Sequence, residues 1–454
     1  MEHVRIKKDL IILLLISGVV LFWSLGSGSL ASWDEAIYAN ISNEIIKSNN
    51  WIDLTHEGVP WNDKPPLYMW ITAFFYTLFG VTEFSARLLS VLCGVGTILC
   101  TYLLGNKLYS RKTAISASLI LLTSWQFIWS SRMGTLDIAM TFFMILSFLL
   151  FLYGEKSKIA LFLCPLSFAG AFYIKSMGAL LIPIILLIFI ISARKYKLLA
   201  TRAFIFGAIV ASILILWWHL LAWAHYGDGF INDYFVKHLV TRTTNAIDGH
   251  TGDIFTYIGV IPNKGRPWGG VGLILLPLAA WRIFRNNEKM HLLPVIWAST
   301  VFVIFSLVKT KLIWYVVPLY PPLAIISGWG ISKLLNKHTI KIVSVLASIS
   351  LIYLAIDKNI FDLDRSPTGK RVSTRAINTV PEDKTLYIYS IGDPSMQFYA
   401  GREGKFIVKK SELLALGKNK DIYILTTLNH LPSFPLKNFS VVFKEDHYAL
   451  IKTD

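Results

Sequence analysis

Charge is scarce in this sequence. Only 16% of the 454 residues are Asp, Glu, Lys or Arg, whereas 54% are hydrophobic. A soluble globular chain carries about 25% charged residues, so a large solvated surface is excluded, and a mean hydropathy of +0.54 points to a polytopic membrane protein. Cysteine is nearly absent. The three present, Cys93, Cys100 and Cys164, all lie in apolar runs, which excludes a disulfide framework and a cysteine metal cluster. Acidic residues number 28 against 44 basic ones. The resulting charge of +16 does not indicate nucleic acid, because Lys and Arg fall in short clusters between apolar runs, as cytoplasmic loops do under the positive-inside rule. The basic N-terminus and its apolar run lack a small-residue cleavage site, so they read as an uncleaved first span.

A span needs about 20 apolar residues. The candidates are 10–30, 84–105, 113–130, 135–153, 158–174, 177–192, 203–224, 268–285, 292–308, 315–333 and 339–356. The expected fold is an α-helical polytopic membrane protein of about 11 transmembrane helices, up to 13, followed by a small C-terminal α/β extracytoplasmic domain. Residues 1–356 form the membrane domain, with a first outer loop at 31–83 and a long outer loop at 225–268; residues 357–454 form the soluble one. Alternate loops carry the positive charge, which places the N-terminus in the cytoplasm and the C-terminal domain outside. Leu67 to Phe79 is apolar but only 13 residues long, so it reads as an interfacial helix. The stretch DKNIFDLDRSPTGKR reads as a linker. Beyond it, strand-like pieces at 385–389, 406–408, 421–426, 440–443 and 448–451 alternate with helices at 395–399 and 410–416. That region has no Gly-rich phosphate loop, and no nucleotide cofactor is expected.

Polar residues of distinctive type gather in the outward loops. The stretch from Leu30 to Leu67 is too polar to span and carries three tryptophans, Asp34-Glu35 and Asp63-Lys64-Pro65-Pro66. Arg132 and Asp137 flank Gly134, and Lys175 lies between two spans. The long loop holds Asp228, Asp233, His238, Arg242 and His250; Lys309-Thr310-Lys311 and Trp314-Tyr315 precede Pro318. Ionisable groups next to spans are costly, so their collection on one face argues for function, although single lysines at span ends often only snorkel.

At these residues the chain resembles the C-fold membrane glycosyltransferases related to protein O-mannosyltransferases, and most closely the bacterial aminoarabinose transferases acting on lipid A. The resemblance covers roughly Leu10 to Leu334. It rests on Asp34-Glu35-Ala36-Ile37-Tyr38-Ala39, on Gly58 to Leu67 with its Asp63-Lys64-Pro65-Pro66, on Arg87, on Arg132 with Asp137, on Lys175 with Gly178, and on Lys309 to Leu312 with Tyr315 and Pro318. Ile37 stands where the family usually has arginine, and Asp63 where it often has glutamate.

The resemblance implies an inverting transfer of a sugar from a polyprenyl-phosphate (undecaprenyl-phosphate) donor to a lipid A-type or other extracytoplasmic acceptor, a glycan or a protein, at the bacterial inner membrane. Such a reaction needs cations for the leaving phosphate and a carboxylate near the acceptor. Asp34 is the expected general base, with Asp137 as the second catalytic carboxylate; Lys64, Tyr38, Arg132, Lys175, Arg242, Lys309, Lys311 and Tyr315 are expected to bind substrate or phosphate. By the same resemblance Asp63 and His250 are candidate ligands for a divalent metal, zinc or magnesium/manganese, although two ligands are an incomplete set. The alternatives are a protein O-glycosyltransferase of the same family, a transporter or flippase of lipid-linked sugars, and an assembly protein with a sensory outer domain. A transporter places ionisable groups at mid-membrane on broken helices and often shows an internal repeat; here span interiors are nearly free of charge and no repeat is evident.

Overall fold

The computed structural model describes residues 2–232, 234, 236, 241, 250–356, 358–402 and 404–454. Helices occupy every apolar segment expected to span. Among the described residues six helical stretches are long and apolar enough to cross a membrane: Glu83–Leu108, Leu136–Tyr153, Lys158–Ala179, Arg202–Tyr226, Lys289–Leu307 and Ile313–Ile356. Arg202–Tyr226 leaves Ile205, Phe206, Ile209, Ile213, Leu216, Trp217, Leu220 and Trp223 exposed. A helix so apolar on its open side suits lipid, not water. Hydroxyls within the helices bond back to their own backbone, Thr97 to the Cys93 carbonyl and Thr101 to that of Thr97, each at 2.7 Å, which satisfies them without water.

The chain divides into two compact units. The first comprises Met1–Ser24, Asn62–Tyr68 and Leu89–Phe361. Its helices pack closely where side chains are small: a Cβ on Gly328 of helix Tyr320–Leu335 would come within 2.9 Å of the Thr113 carbonyl oxygen on helix Arg111–Leu122. An N-terminal lock closes this unit, with Asp9 accepting from Arg111 Nε and from the Tyr102 hydroxyl at 2.6 Å each.

The second unit comprises Leu25–Trp61, Met69–Leu88 and Asp362–Asp454. Leu30–Glu83, read from the sequence as a loop, contains helix Asp34–Ser48, a two-residue hairpin (β1, Thr55–His56; β2, Val59–Pro60) and helix Leu67–Phe79. Asp34–Ser48 escapes notice because its buried face includes Asn40, Ser42 and Asn43, so no apolar stripe marks it. The expected linker is corrected as well. Pro367–Thr379 is a helix, begun by proline at its first position, and it buries Val372 and Ala376.

Five strands follow: β3 (Leu386–Tyr389), β4 (Lys405–Ile407), β5 (Tyr423–Thr427), β6 (Phe439–Glu445) and β7 (Tyr448–Thr453), in the order β4-β3-β5-β7-β6. β3 runs parallel to β4 and β5, whereas β7 is antiparallel to β5 and β6. Alternation sends Leu386, Ile388, Leu425 and Leu450 to one face with Val372, Ala376 and Met396. Ile424, Ile451 and Ile407 go to the other face with Leu413 and Phe434.

Arg87 anchors this unit. Fully buried, it donates to Glu35 at 2.8 Å and to the carbonyls of Leu25, Ser27, Ser29 and Leu363 at 2.9–3.3 Å. Removing one member of such a pair strands the other charge. Arg87→Met is therefore expected to cost about 3–5 kcal/mol of stability, read as a lower melting temperature in detergent; an unchanged melt would refute the anchor role.

The hairpin carries a second, weaker link. Glu44 accepts from the Thr55 hydroxyl at 2.6 Å and from the Glu57 and Gly58 amides at 2.7 and 3.2 Å. Burial, and then the charge of Glu44, push the Glu57 carboxyl up to about 7. A carboxyl raised above its unfolded value favours the folded state at low pH, and that contribution is lost as pH rises through about 7. The Gly58 amide should thus lose hydrogen-exchange protection between about pH 5 and 8, and Glu57→Gln should abolish the trend. Protection independent of pH in the wild type would contradict this assignment.

Candidate active site

In the first unit a cavity of about 260 Å³ is lined by Asp63, Lys64, Asp137, Met140, Lys175, Ser176, Gly178, Tyr234, Phe305 and Tyr315, among others. Lys175 reaches it because helix Lys158–Ala179 breaks at that residue, with φ −151° and ψ 80°. Its ammonium meets Asp137 at 2.6 Å and lies 5.4 Å from the centre of the Tyr315 ring. Asp137 stands in the first turn of helix Leu136–Tyr153, where the helix dipole favours a carboxylate. Tyr315 is held in turn by stacking on Phe305 at 4.9 Å. Gly178 is needed for the wall: a Cβ there would come within 2.5 Å of the Met140 sulfur.

Lys64 arrives from the other side of the sequence. Pro65 and Pro66 stiffen the chain after it, and buried Tyr68 then bonds Ser90 at 2.8 Å, which donates to the Thr135 carbonyl at 3.1 Å, just before Asp137's helix. The Lys64 ammonium donates to the Asp63 carbonyl at 2.9 Å. Two ammonium groups, two carboxylates and two phenols therefore meet on one cavity. This set can grip a phosphate while orienting a sugar's hydroxyls.

Other expected residues lie elsewhere. Arg132 is fully buried, donating to the Val20 carbonyl at 3.0 Å, with its guanidinium 5.1 Å from the Phe361 ring centre. Lys311 donates to the carbonyls of Phe305, Ser306 and Val308, closing the C-terminal end of helix Leu292–Leu307; burial holds its ammonium below the ordinary lysine range. Lys309 is exposed. Arg242, with Asp233 and His238, falls outside the described residues.

His250 is exposed, and its carbonyl accepts from the Lys311 amide at 3.0 Å. Among the described residues no group of three or more His, Cys, Asp or Glu converges. Asp63 and His250 alone do not make a metal's donor set. Met140, Ser176, Tyr234 and Phe305 were not expected at a site. Only the place of Tyr234 in the long loop and of Ser176 beside Lys175 could have drawn attention to them.

Asp34 and Tyr38 belong to the second unit. Tyr38 is buried with its ring edge-on to Trp61, centroids 6.2 Å apart. The two adjacent acids have different fates. Glu35 is consumed by Arg87 and by the Ala31 amide at 2.7 Å, whereas half-buried Asp34 has no hydrogen-bond or ion-pair partner among the described residues. Immediately before it Trp33 has φ 75° and ψ −130°, a backbone region that costs a non-glycine residue about 1–3 kcal/mol and that recurs at functional sites.

Residues 63–219 match the family model described as dolichyl-phosphate-mannose-protein mannosyltransferase. An undecaprenyl phosphate-alpha-4-amino-4-deoxy-L-arabinose arabinosyl transferase of Edwardsiella ictaluri is 30% identical over 319 residues, covering 67% of this chain and 56% of that one. A protein of Aquifex aeolicus is 26% identical over 458 residues, covering 99% of this chain and all of its own. The crystal structure of ArnT from Cupriavidus metallidurans bound to undecaprenyl phosphate superposes with a TM-score of 0.77 at 20% identity, covering 97% of each chain. This chain spans 56–64% of the length of the curated arabinosyl transferases it matches.

The fold is that of a multi-pass membrane glycosyltransferase with the C-type architecture. Within that class the chain is similar to the protein O-mannosyltransferases and the aminoarabinose transferases.

Proposed function

We propose that this chain transfers a sugar from a polyprenyl-phosphate donor, of which undecaprenyl phosphate is the expected carrier, to a lipid A-type or other extracytoplasmic acceptor, with inversion at the anomeric carbon. The observation that supports this best is the joint presence of Lys64, Lys175, Asp137 and Tyr315 on one cavity, in a chain whose relatives are named undecaprenyl phosphate-alpha-4-amino-4-deoxy-L-arabinose arabinosyl transferases.

The acceptor oxygen attacks the anomeric carbon, and the bond from that carbon to the phosphate oxygen breaks, the phosphate leaving with the electron pair. Lys64 binds that phosphate and offsets its growing charge; Lys175, oriented by Asp137, supplies the second cation. Asp34 takes the proton from an acceptor hydroxyl. Where the acceptor is itself a phosphate it is already ionised, and Asp34 then positions it. Ile37 brings no cation where the family usually has arginine, so the phosphate contact in this chain falls to the lysines.

The protein would sit in the bacterial inner membrane with about eleven spans, its N-terminus cytoplasmic and the residues after Asp357 outside, which is where an acceptor such as lipid A is met. Lipid and glycan mass spectrometry of cells with and without the protein tests the reading. A glycan or lipid lighter by one sugar residue in the deletion supports it and names both sugar and acceptor; identical profiles would overturn it.

A further inference from the structure

The turn that leads into Asp34 is held almost entirely by side chains from more than 300 residues away. Four consecutive backbone amides, Ser29 to Ser32, each donate to a side chain: Ser29 to Asp364 at 2.9 Å, Leu30 to the Tyr399 hydroxyl at 2.8 Å, Ala31 to Glu35 at 2.7 Å and Ser32 to the Ser366 hydroxyl at 3.1 Å. The Ser32 hydroxyl adds a bond to Asp393 at 2.8 Å, and the Ser366 amide returns one to the Ser29 hydroxyl at 2.6 Å. Gly28 lets the two segments approach: at φ 73°, a Cβ there would come within 2.4 Å of the Asp364 backbone nitrogen. Tyr399 stands in helix Pro394–Gly401 and Asp393 caps it, whereas Asp364 and Ser366 lie in irregular chain. Three of the four amide acceptors and the hydroxyl's acceptor come from residues 364–399.

The strained residue stands at the end of this turn. Trp33 is 70% exposed, so burial of its own side chain does not impose the conformation. Strain of this kind persists only where the surroundings over-determine the backbone, and the bonds on residues 29–32 are those surroundings. From Trp33 the chain enters helix Asp34–Ser48 directly, so the turn sets where the Asp34 carboxylate points.

We infer that the C-terminal stretch of the second unit is a positioning element for the reaction, with Asp364, Ser366, Asp393 and Tyr399 clamping residues 29–33 so that Asp34 is aimed at the acceptor. The inference rests on the role assigned to Asp34 above. These four side chains are positioning residues, acting through the backbone of the turn. They touch no substrate in this account, which separates their signature from that of the lysines. Loosening the clamp misdirects the carboxylate and lowers kcat while leaving the donor's affinity unaltered. Small misplacements of a reacting group cost up to about 10²-fold in rate.

The test uses the full-length protein reconstituted with polyprenyl-phosphate sugar. Ser32→Ala removes the hydroxyl bonded to Asp393, Tyr399→Phe removes the acceptor for the Leu30 amide, and Ser32→Thr keeps a hydroxyl; Asp34→Asn is measured alongside. The expected result is kcat lowered about tenfold or more in Ser32→Ala and Tyr399→Phe, with donor KM, undecaprenyl-phosphate binding and melting temperature within about twofold or a few degrees of wild type, and with Ser32→Thr restoring most of the rate. Unchanged kcat in both variants, with Asp34→Asn inactive, overturns the clamp and leaves the base intact. A loss matched by a lower melting temperature, or equally large in Ser32→Thr, overturns it in favour of a purely structural bond. An active Asp34→Asn overturns both the base and the clamp.

Discussion

Asp34→Asn is expected to fold, insert and bind donor lipid like wild type while losing roughly 10²–10⁴-fold in turnover, the usual contribution of a positioned general base. The change keeps the shape of the side chain and removes only its charge. It also leaves the fold's own acid alone, because Glu35, not Asp34, carries the buried pair with Arg87. The two neighbours therefore make opposite controls. Changing Glu35 strands a buried guanidinium and lowers stability, whereas changing Asp34 lowers rate at constant stability. Turnover of Asp34→Asn within about twofold of wild type in a reconstituted assay would remove the carboxylate from the reaction.

Lys64→Ala carries the second large effect, expected as a weakened affinity for undecaprenyl phosphate together with a loss of about 10²–10³-fold in turnover at saturating donor. Both parameters move because the ammonium meets the phosphate before and during bond cleavage, and gains most as the leaving oxygen becomes charged. The local structure supports a fixed cation: Pro65 and Pro66 follow it, Tyr68 is bonded to Ser90, and the Lys64 side chain lines the same cavity as Lys175. A lysine that only orients the apolar helix Leu67–Phe79 in the bilayer interface would leave both parameters alone. Values within about twofold, less than about 0.5 kcal/mol, would move the phosphate site to Lys175 or to Lys309.

Much of the helical architecture was legible because membrane helices advertise themselves by composition. Helices stand at all eleven apolar segments, and Leu67–Phe79 matches the expected interfacial segment residue for residue, bounded by Pro66 and Gly80. β3 to β7 overlap the apolar pieces read at the C-terminal end, since strands covered on both faces stand out as short apolar runs. Helix Asp34–Ser48 was not legible. Its buried positions mix Glu35, Asn40, Ser42 and Asn43 with Tyr38, Ile41 and Ile45, and the turn leading into it depends on partners at Asp364 and Tyr399, a separation no local pattern encodes.

The site was legible in kind more than in detail. Residue type and loop position marked Asp63, Lys64, Asp137, Lys175 and Tyr315, which the fold brings to one cavity. They could not tell those from Lys311, whose ammonium is occupied by three backbone carbonyls, or Arg132, buried against Val20 and Phe361. Hydrogen-bond partners decide such cases, and a one-dimensional pattern does not contain them.

The most direct test of the account is transfer by the purified protein in proteoliposomes supplied with polyprenyl-phosphate sugar and lipid A, followed by mass spectrometry of both lipids. Free polyprenyl phosphate is expected to appear mole for mole with an acceptor heavier by one sugar residue, the new linkage inverted relative to the donor, and Asp34→Asn is expected to abolish both products. Donor lipid that crosses the bilayer intact, with no free polyprenyl phosphate and no heavier acceptor, would contradict it.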